Sequence, residues 1–185
     1  MGFKPPTHIS DGFDFLGFNI RKNKEKLLVK PAKTNVLLFV RNIKEIIKKH
    51  PTISAGDLIE ILNPKIKGWG NFYRHSVASQ TFSYVDCQIF KSLYRWAKRR
   101  HPNKSTTWIV HKYFRSKLSP KWKFQGVNQM GNQFLSQMAY ISIKRHIKIR
   151  GDTNPYDPSY AEYLQKRSKG NMYRNTWTDT PLTVL

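Results

Sequence analysis

The sequence predicts a mainly α protein with a short N-terminal β-hairpin and a small, irregular, strand-containing C-terminal extension. Three observations lead there. Apolar residues recur at helical spacing between Val36 and Ala97, an apolar run broken by a glycine precedes them at Phe13–Ile20, and the helical period fades after Pro120. The chain has 185 residues, of which 39% are hydrophobic and 14% aromatic, enough for at least one compact core and too apolar for a disordered basic tail.

Taken in order, FDFLGFNI offers Phe13, Phe15, Phe18 and Ile20 around a break at Gly17. A polar RKNKEK turn and then Leu27, Leu28 and Val29 complete a hairpin. Thr34 reads as the N-cap of an amphipathic helix carrying Val36, Phe39, Val40, Ile43 and Ile47 as far as Lys49, where Pro51 stops the pattern. Ser54 with Asp57 opens a short helix through Leu62, and Asn63-Pro64 reads as the cap and first residue of another that reaches about His75. Gly68 and Gly70 weaken that helix and imply the close approach of another backbone. The longest helix runs from about Ser79 to Arg100, with Phe82, Val85, Ile89, Phe90, Leu93, Trp96 and Ala97 on one face. Pro102 ends it, Ser105 or Thr106 starts a shorter helix over WIVHKYFR, and Ser119-Pro120 closes that. KWKFQG and AYISIKRHIKI read as short strands, and the segment beyond Gly151 reads as a linker or a truncated second module.

Charge narrows the function more than pattern does. Lys and Arg number 33 against 11 Asp and Glu, a formal charge of +22, so the expected partner is polyanionic. Between Cys87 and Gly151 stand 15 basic residues and no acidic one, interleaved with Tyr94, Trp96, Trp108, Tyr113, Phe114, Trp122 and Phe124. Cations on phosphates with rings in a core, or on bases, would produce that mixture. Core is the ordinary reading of each ring, and for Trp69 and Trp96 it is favoured over base stacking. No run of 18 apolar residues and no signal peptide occur, so membrane spanning and secretion are disfavoured, and the single Cys87 fits a reducing intracellular compartment.

Catalytic constellations are not evident. Asp57 and Glu60 share a helix face but fit a helix-dipole role, and Asp11 and Asp14 read as turn residues beside a strand. The six histidines show no metal-ligand spacing, and His75 reads as a capping or phosphate-contacting group.

The segment Ile61–Ser105 closely resembles the maturase (X, or thumb) domain of group II intron reverse transcriptases. The resemblance rests on Asn63, Pro64, Gly68, Trp69, Asn71, Phe72, Tyr73, Tyr94, Trp96, Ala97, Lys98, Arg99, Arg100, His101 and Pro102. FDFLGFNIR is similar to the last block of that family's palm, and IKIRGDTNPYDPSYAEYLQKR to the junction before its HNH endonuclease module. The Tyr-x-Asp-Asp palm site and the zinc-bound HNH residues do not occur in these residues. The resemblance therefore implies a three-helix-bundle thumb, with residues 1–33 as palm-end hairpin and connector, 34–118 as maturase domain and 119–185 as an extension toward the HNH position.

The expected partners are structured group II intron RNA, an RNA–DNA template–primer duplex and a palm-containing reverse transcriptase chain. No catalytic residue and no resident cofactor is expected, Mg²⁺ entering only with bound RNA or a palm, in a bacterial cytoplasm or an organelle. Candidate nucleic-acid contacts are Lys91, Arg95, Lys98, Arg99 and Arg100 on the long helix, Lys65, Lys67 and Arg74 extending that surface, and Lys104, Lys112 and Arg115 beyond it. The alternatives are a thumb subunit of a split RNA-directed DNA polymerase, a non-functional remnant, and a generic basic assembly protein.

Overall fold

Gly17, at φ +84°, turns the chain between β1 (Phe13–Phe15) and β2 (Phe18–Asn23), and β3 (Lys26–Pro31) pairs antiparallel along the other side of β2. The computed structural model describes residues 8–24, 26–114, 123–144 and 149–168. The expected hairpin is thus two successive hairpins, and Arg21, Lys22 and Asn23 of the expected polar turn are strand residues paired with Leu28, Leu27 and Lys26. Asp14 is likewise a strand residue, accepting a hydrogen bond from Asn19 Nδ2 at 2.7 Å, while Asp11 sits in the turn before it.

The sheet is latched to the helices at Gly17. Tyr73 Oη donates to the Gly17 carbonyl at 3.1 Å and accepts from Asn35 Nδ2 at 3.2 Å, while the Phe18 ring lies against Phe72 and Tyr73 with centroids 5.4 and 5.0 Å apart. Helix α1 (Lys33–Lys49) follows directly. Its N-cap is the buried, extended Ala32, whose N–H is bonded to the Gly17 carbonyl. Thr34 lies inside the first turn and does not cap it: the chain leaves the sheet straight into the helix, one residue after Pro31.

Helix α2 (Ala55–Tyr73) is one element, not two. Ser54 caps it, its hydroxyl accepting the Asp57 N–H at 3.1 Å and donating to the Asp57 carboxylate at 2.6 Å. Pro64 removes one backbone bond in mid-helix, yet Leu62 and Ile66 on either side are fully buried, and packing of that kind is worth about 1.5–3 kcal/mol per side chain. Asn63 is no cap. Its amide donates to the Phe134 carbonyl at 3.0 Å and its oxygen accepts the Ser136 N–H at 2.8 Å, clamping the C-terminal extension onto α2.

Helix α3 (Ser79–Arg100) matches its sequence pattern, with Phe82, Val85, Ile89, Leu93, Trp96 and Ala97 buried and Phe90 half-buried. Ser105 caps α4 (Thr106–Tyr113) by accepting the Trp108 N–H at 3.2 Å. The core lies where α1 to α4 meet, and Trp96 crosses it to donate from Nε1 to the His50 carbonyl at 2.8 Å. Ser119-Pro120 falls outside the described residues.

Strands β4 (Gln125–Asn128) and β5 (Gly131–Phe134) form a second hairpin against α2. Of KWKFQG only Gln125 and Gly126 are strand, Lys121 and Trp122 lie outside the described residues, and the partner GNQF shows no apolar alternation that would announce it. The close backbone approach expected at Gly68 and Gly70 occurs elsewhere. A Cβ on Gly56 would lie 2.5 Å from the Val127 carbonyl carbon, and one on Gly126 would lie 2.5 Å from that of Ala55. Gly68 faces open space, and Gly70 makes room for the Ile141 side chain.

Among residues 139–144 the expected strand AYISIK is absent. A 3-10 turn, Met138–Tyr140, replaces it because the Asp86 carboxylate accepts the Met138 and Ala139 N–H groups at 3.0 and 2.9 Å and Met138 enters the core. Burial pushes the Asp86 carboxyl up against the downward pull of those two donors. The rest of that strand, residues 145–148, lies outside the described residues. A separate unit, His146–Leu185, contains a 3-10 turn at Pro158–Tyr160 and α5 (Ala161–Ser168), with an ion pair between Glu162 and Lys166.

Candidate nucleic-acid interface

Helices α1 and α3 pack through Ile43 and Ile47 on one side and Ile89, Leu93 and Trp96 on the other, which leaves the neighbouring positions of each helix facing outward as a pair of ridges. Lys44 and Lys48 each follow a core isoleucine by one residue. Lys91, Arg95, Lys98 and Arg99 fall on one face of α3, within about a third of the helix circumference.

Between the ridges runs an open groove floored by Ile47 and Ser92 and walled by Lys44, Lys48, Arg95, Lys98 and Arg99. One end continues past Val40, Arg41 and Tyr84, and the other past Pro51 and Thr52 to Arg100. Glu45 is the one acid along these stretches, and Arg41 meets it at 3.4 Å. Lys44 Nζ donates to Gln88 Oε1 at 3.2 Å. Among the described residues no carboxylate lies within ion-pair distance of any other groove cation.

The acids are occupied elsewhere. Asp57 accepts from the hydroxyl of Ser54, the cap of α2, Glu60 accepts from Asn128 Nδ2 at 3.2 Å, Asp86 holds the Met138 turn and Asp14 holds Asn19. That internal use of the few carboxylates leaves the groove's positive field uncompensated within the described residues.

The structure gathers only part of the sequence-predicted set. Arg95, Lys98 and Arg99 line the groove, and Lys91 stands exposed one turn before Arg95 on the same face of α3. Arg100 lines the groove's end but is also structural: its guanidinium donates to the Ile53 carbonyl and sits 5.2 Å from the centre of the Trp96 ring. Lys65 and Lys67 are exposed on α2, which contributes no residue to the groove, so they are not joined to the α3 cations. Arg74, half-buried at the end of α2, donates to Asn71 Oδ1 at 3.4 Å and is turned to local structure. Arg115 lies outside the described residues.

Lys104 and Lys112 form a second cluster at the α3–α4 corner, their ammonium groups 5.6 and 4.7 Å from the centre of the Trp108 ring. His101 stands beside it, edge-on to Trp108 at 4.9 Å and 2.7 Å from the Tyr113 hydroxyl through Nε2. Partial burial, and then the charges of Lys112, Arg100 and Lys104, lower the His101 pKa from its usual value. His75 plays a local part, its Nδ1 2.8 Å from the Lys144 carbonyl.

Sequence reasoning missed Arg41, Lys44 and Lys48. The signal was there: lysines immediately following the core positions Ile43 and Ile47 must flank the apolar stripe of α1. What the sequence alone did not supply is that α3 is the helix lying beside that flank.

Residues 36–114 match the family described as "Group II intron, maturase-specific domain". A stretch of 112 residues is 30% identical to the "Ribosomal operon-associated A protein" of Euglena longa. The aligned stretch covers 60% of this chain and 21% of that protein, so the chain spans about a fifth of its relative's length. The family match runs from Val36 in α1 to Phe114, which ends α4, and so contains both walls of the groove and the Trp108 corner. Over residues 36–114, therefore, the chain is similar to the maturase-specific domain of group II introns.

Proposed function

We propose that this domain binds structured RNA, with group II intron RNA as its partner, by laying the α1–α3 groove along the phosphate backbone. The observation that carries the reading is the groove itself: two ridges of Lys and Arg with one acid between them, inside the residues matched to the maturase-specific family. Such a surface contacts backbone and not base edges, so selectivity comes from the shape of the folded RNA. Binding the native RNA fold more tightly than its alternatives shifts the RNA population toward it by the ratio of the two affinities. The RNA then supplies the splicing chemistry, with its own Mg²⁺.

The test uses the full chain at 100 mM salt, a group II intron RNA and a ribosomal RNA fragment of equal length. Wild type is expected to bind the intron RNA more tightly and to raise its splicing rate. Arg95→Glu with Arg99→Glu is expected to lose at least tenfold in affinity. Equal affinity for the two RNAs, or an unchanged affinity in the double variant, overturns the proposal.

A further inference from the structure

The described rings that crowd the end of α3 are nearly all inside. Trp96, Tyr113, Phe114 and Phe124 are each 6% exposed or less, whereas Trp108, in the same cluster of elements, is 36% exposed. The cause is local. Ile109 and Tyr113 turn the inner face of α4 into the core, and the Ser105 cap fixes Trp108 on the first turn with its ring directed outward. Around that ring stand Lys104, Lys112 and His101, with Arg100 acting electrostatically on the same histidine and also lining the near end of the α1–α3 groove. A partly exposed indole flanked by two ammonium groups, beside an arginine at the end of the groove, is an arrangement suited to an unpaired base and its phosphate.

We propose that Trp108 is a stacking subsite for the first unpaired base beyond a double-helical segment held in the groove, with Lys104 and Lys112 on the phosphate of that nucleotide. The ligand class is a helix-to-single-strand junction in RNA, and the proposal rests on the RNA-binding reading above. Bases inside a duplex do not offer a free face to an isolated ring, so the subsite distinguishes a tailed helix from a blunt one. The lysine stems are flexible enough to move from the ring face to a phosphate as the base arrives.

The experiment compares the full-length chain on a blunt RNA duplex and on the same duplex carrying four unpaired nucleotides on either the 5′ or the 3′ end. Wild type is expected to bind one of the tailed forms about tenfold more tightly than the blunt one, within the range measured for a single stacked base. Trp108→Leu is expected to bind both at the blunt value, and Trp108→Phe to keep most of the preference. Should the leucine variant melt early, Lys104→Gln with Lys112→Gln replaces it, with the same loss of preference expected. No preference in wild type, or a preference that survives Trp108→Leu or the lysine pair, overturns the subsite alone. Failure of wild type to bind any of the duplexes overturns the RNA-binding reading and the subsite with it.

Discussion

If the groove holds RNA as proposed, neutralising two of its arginines is expected to change the salt dependence of binding by an amount that its cations set. Six cations line the groove from Lys44 to Arg100 without a carboxylate partner among the described residues: Lys44, Lys48, Arg95, Lys98, Arg99 and Arg100. Each phosphate neutralised on a double helix contributes about 0.9 to the slope of log affinity against log salt, so six contacts give a slope of about −5.4. Over the fourfold rise from 50 to 200 mM, affinity then falls about 2,000-fold. Arg95→Gln with Arg99→Gln leaves four contacts, a slope of about −3.6 and a loss of about 150-fold.

Both arginines are exposed, and glutamine keeps part of each aliphatic stem, so stability is expected to change by no more than about 0.5 kcal/mol. Filter binding of a double-helical RNA at fixed Mg²⁺, titrated with KCl, reads the slope. A double variant that loses the same factor of affinity at every salt concentration, leaving the slope at the wild-type value, refutes the placement of phosphates in this groove. Arg100 is a poor choice for that assay. Its bonds to the Ile53 carbonyl and its stacking on Trp96 make Arg100→Gln a stability variant, expected to melt about 3–6 °C lower from a loss of roughly 1.5 kcal/mol.

Two further outcomes are expected. Gly126→Ala places a methyl against the Ala55 carbonyl carbon, where backbone on both sides cannot yield, and is expected to cost about 2–3 kcal/mol and lower the melting temperature by about 5–10 °C; an unchanged melting curve contradicts the crossing geometry. His101 has a folded-state pKa held below its unfolded value near 6.5, so the stability it contributes is complete above that value and is lost as pH falls through it toward the folded pKa. A phosphate seated on Lys104 and Lys112 would offset the charge part of that depression, which is smaller than the part due to burial, so RNA affinity is expected to rise modestly as pH falls toward and below the ordinary histidine value. Competition binding at constant ionic strength is expected to show this rise in wild type and a flatter profile in His101→Gln; identical profiles sink the coupling.

The helices were legible in the sequence because each carries its own periodic stripe. Val36, Val40, Ile43 and Ile47 of α1 and Phe82, Val85, Ile89, Leu93 and Trp96 of α3 are the positions that the pattern named and burial returned. The errors fall where a local signal is overruled by a distant one. Asn63-Pro64 has the form of a helix start, but Asn63 is bonded to Phe134 and Ser136, more than seventy residues away, and the buried Leu62 and Ile66 hold the helix through the proline. The alternating AYISIK has the form of a strand, but Asp86, more than fifty residues earlier, caps a 3-10 turn there. GNQF has no signal of its own and becomes a strand only as the partner of QGVN.

The same division between local and distant information explains the candidate interface. The excess of cations was visible from composition, and the α3 row from helical spacing, because both are properties of contiguous sequence. The groove is a property of two helices. Its second wall, Lys44 and Lys48, and the separation of Lys65 and Lys67 from it follow from which helix packs beside which. Trp96 was marked in the sequence by the apolar stripe of α3, from which it reaches the His50 carbonyl, whereas Trp108 carried no comparable signal and the packing of α4 leaves it facing solvent. If the groove and the ring act as proposed, recognition would divide the same way: charge would supply affinity wherever phosphates run, and the position of a single ring relative to the groove would decide where a helix must end.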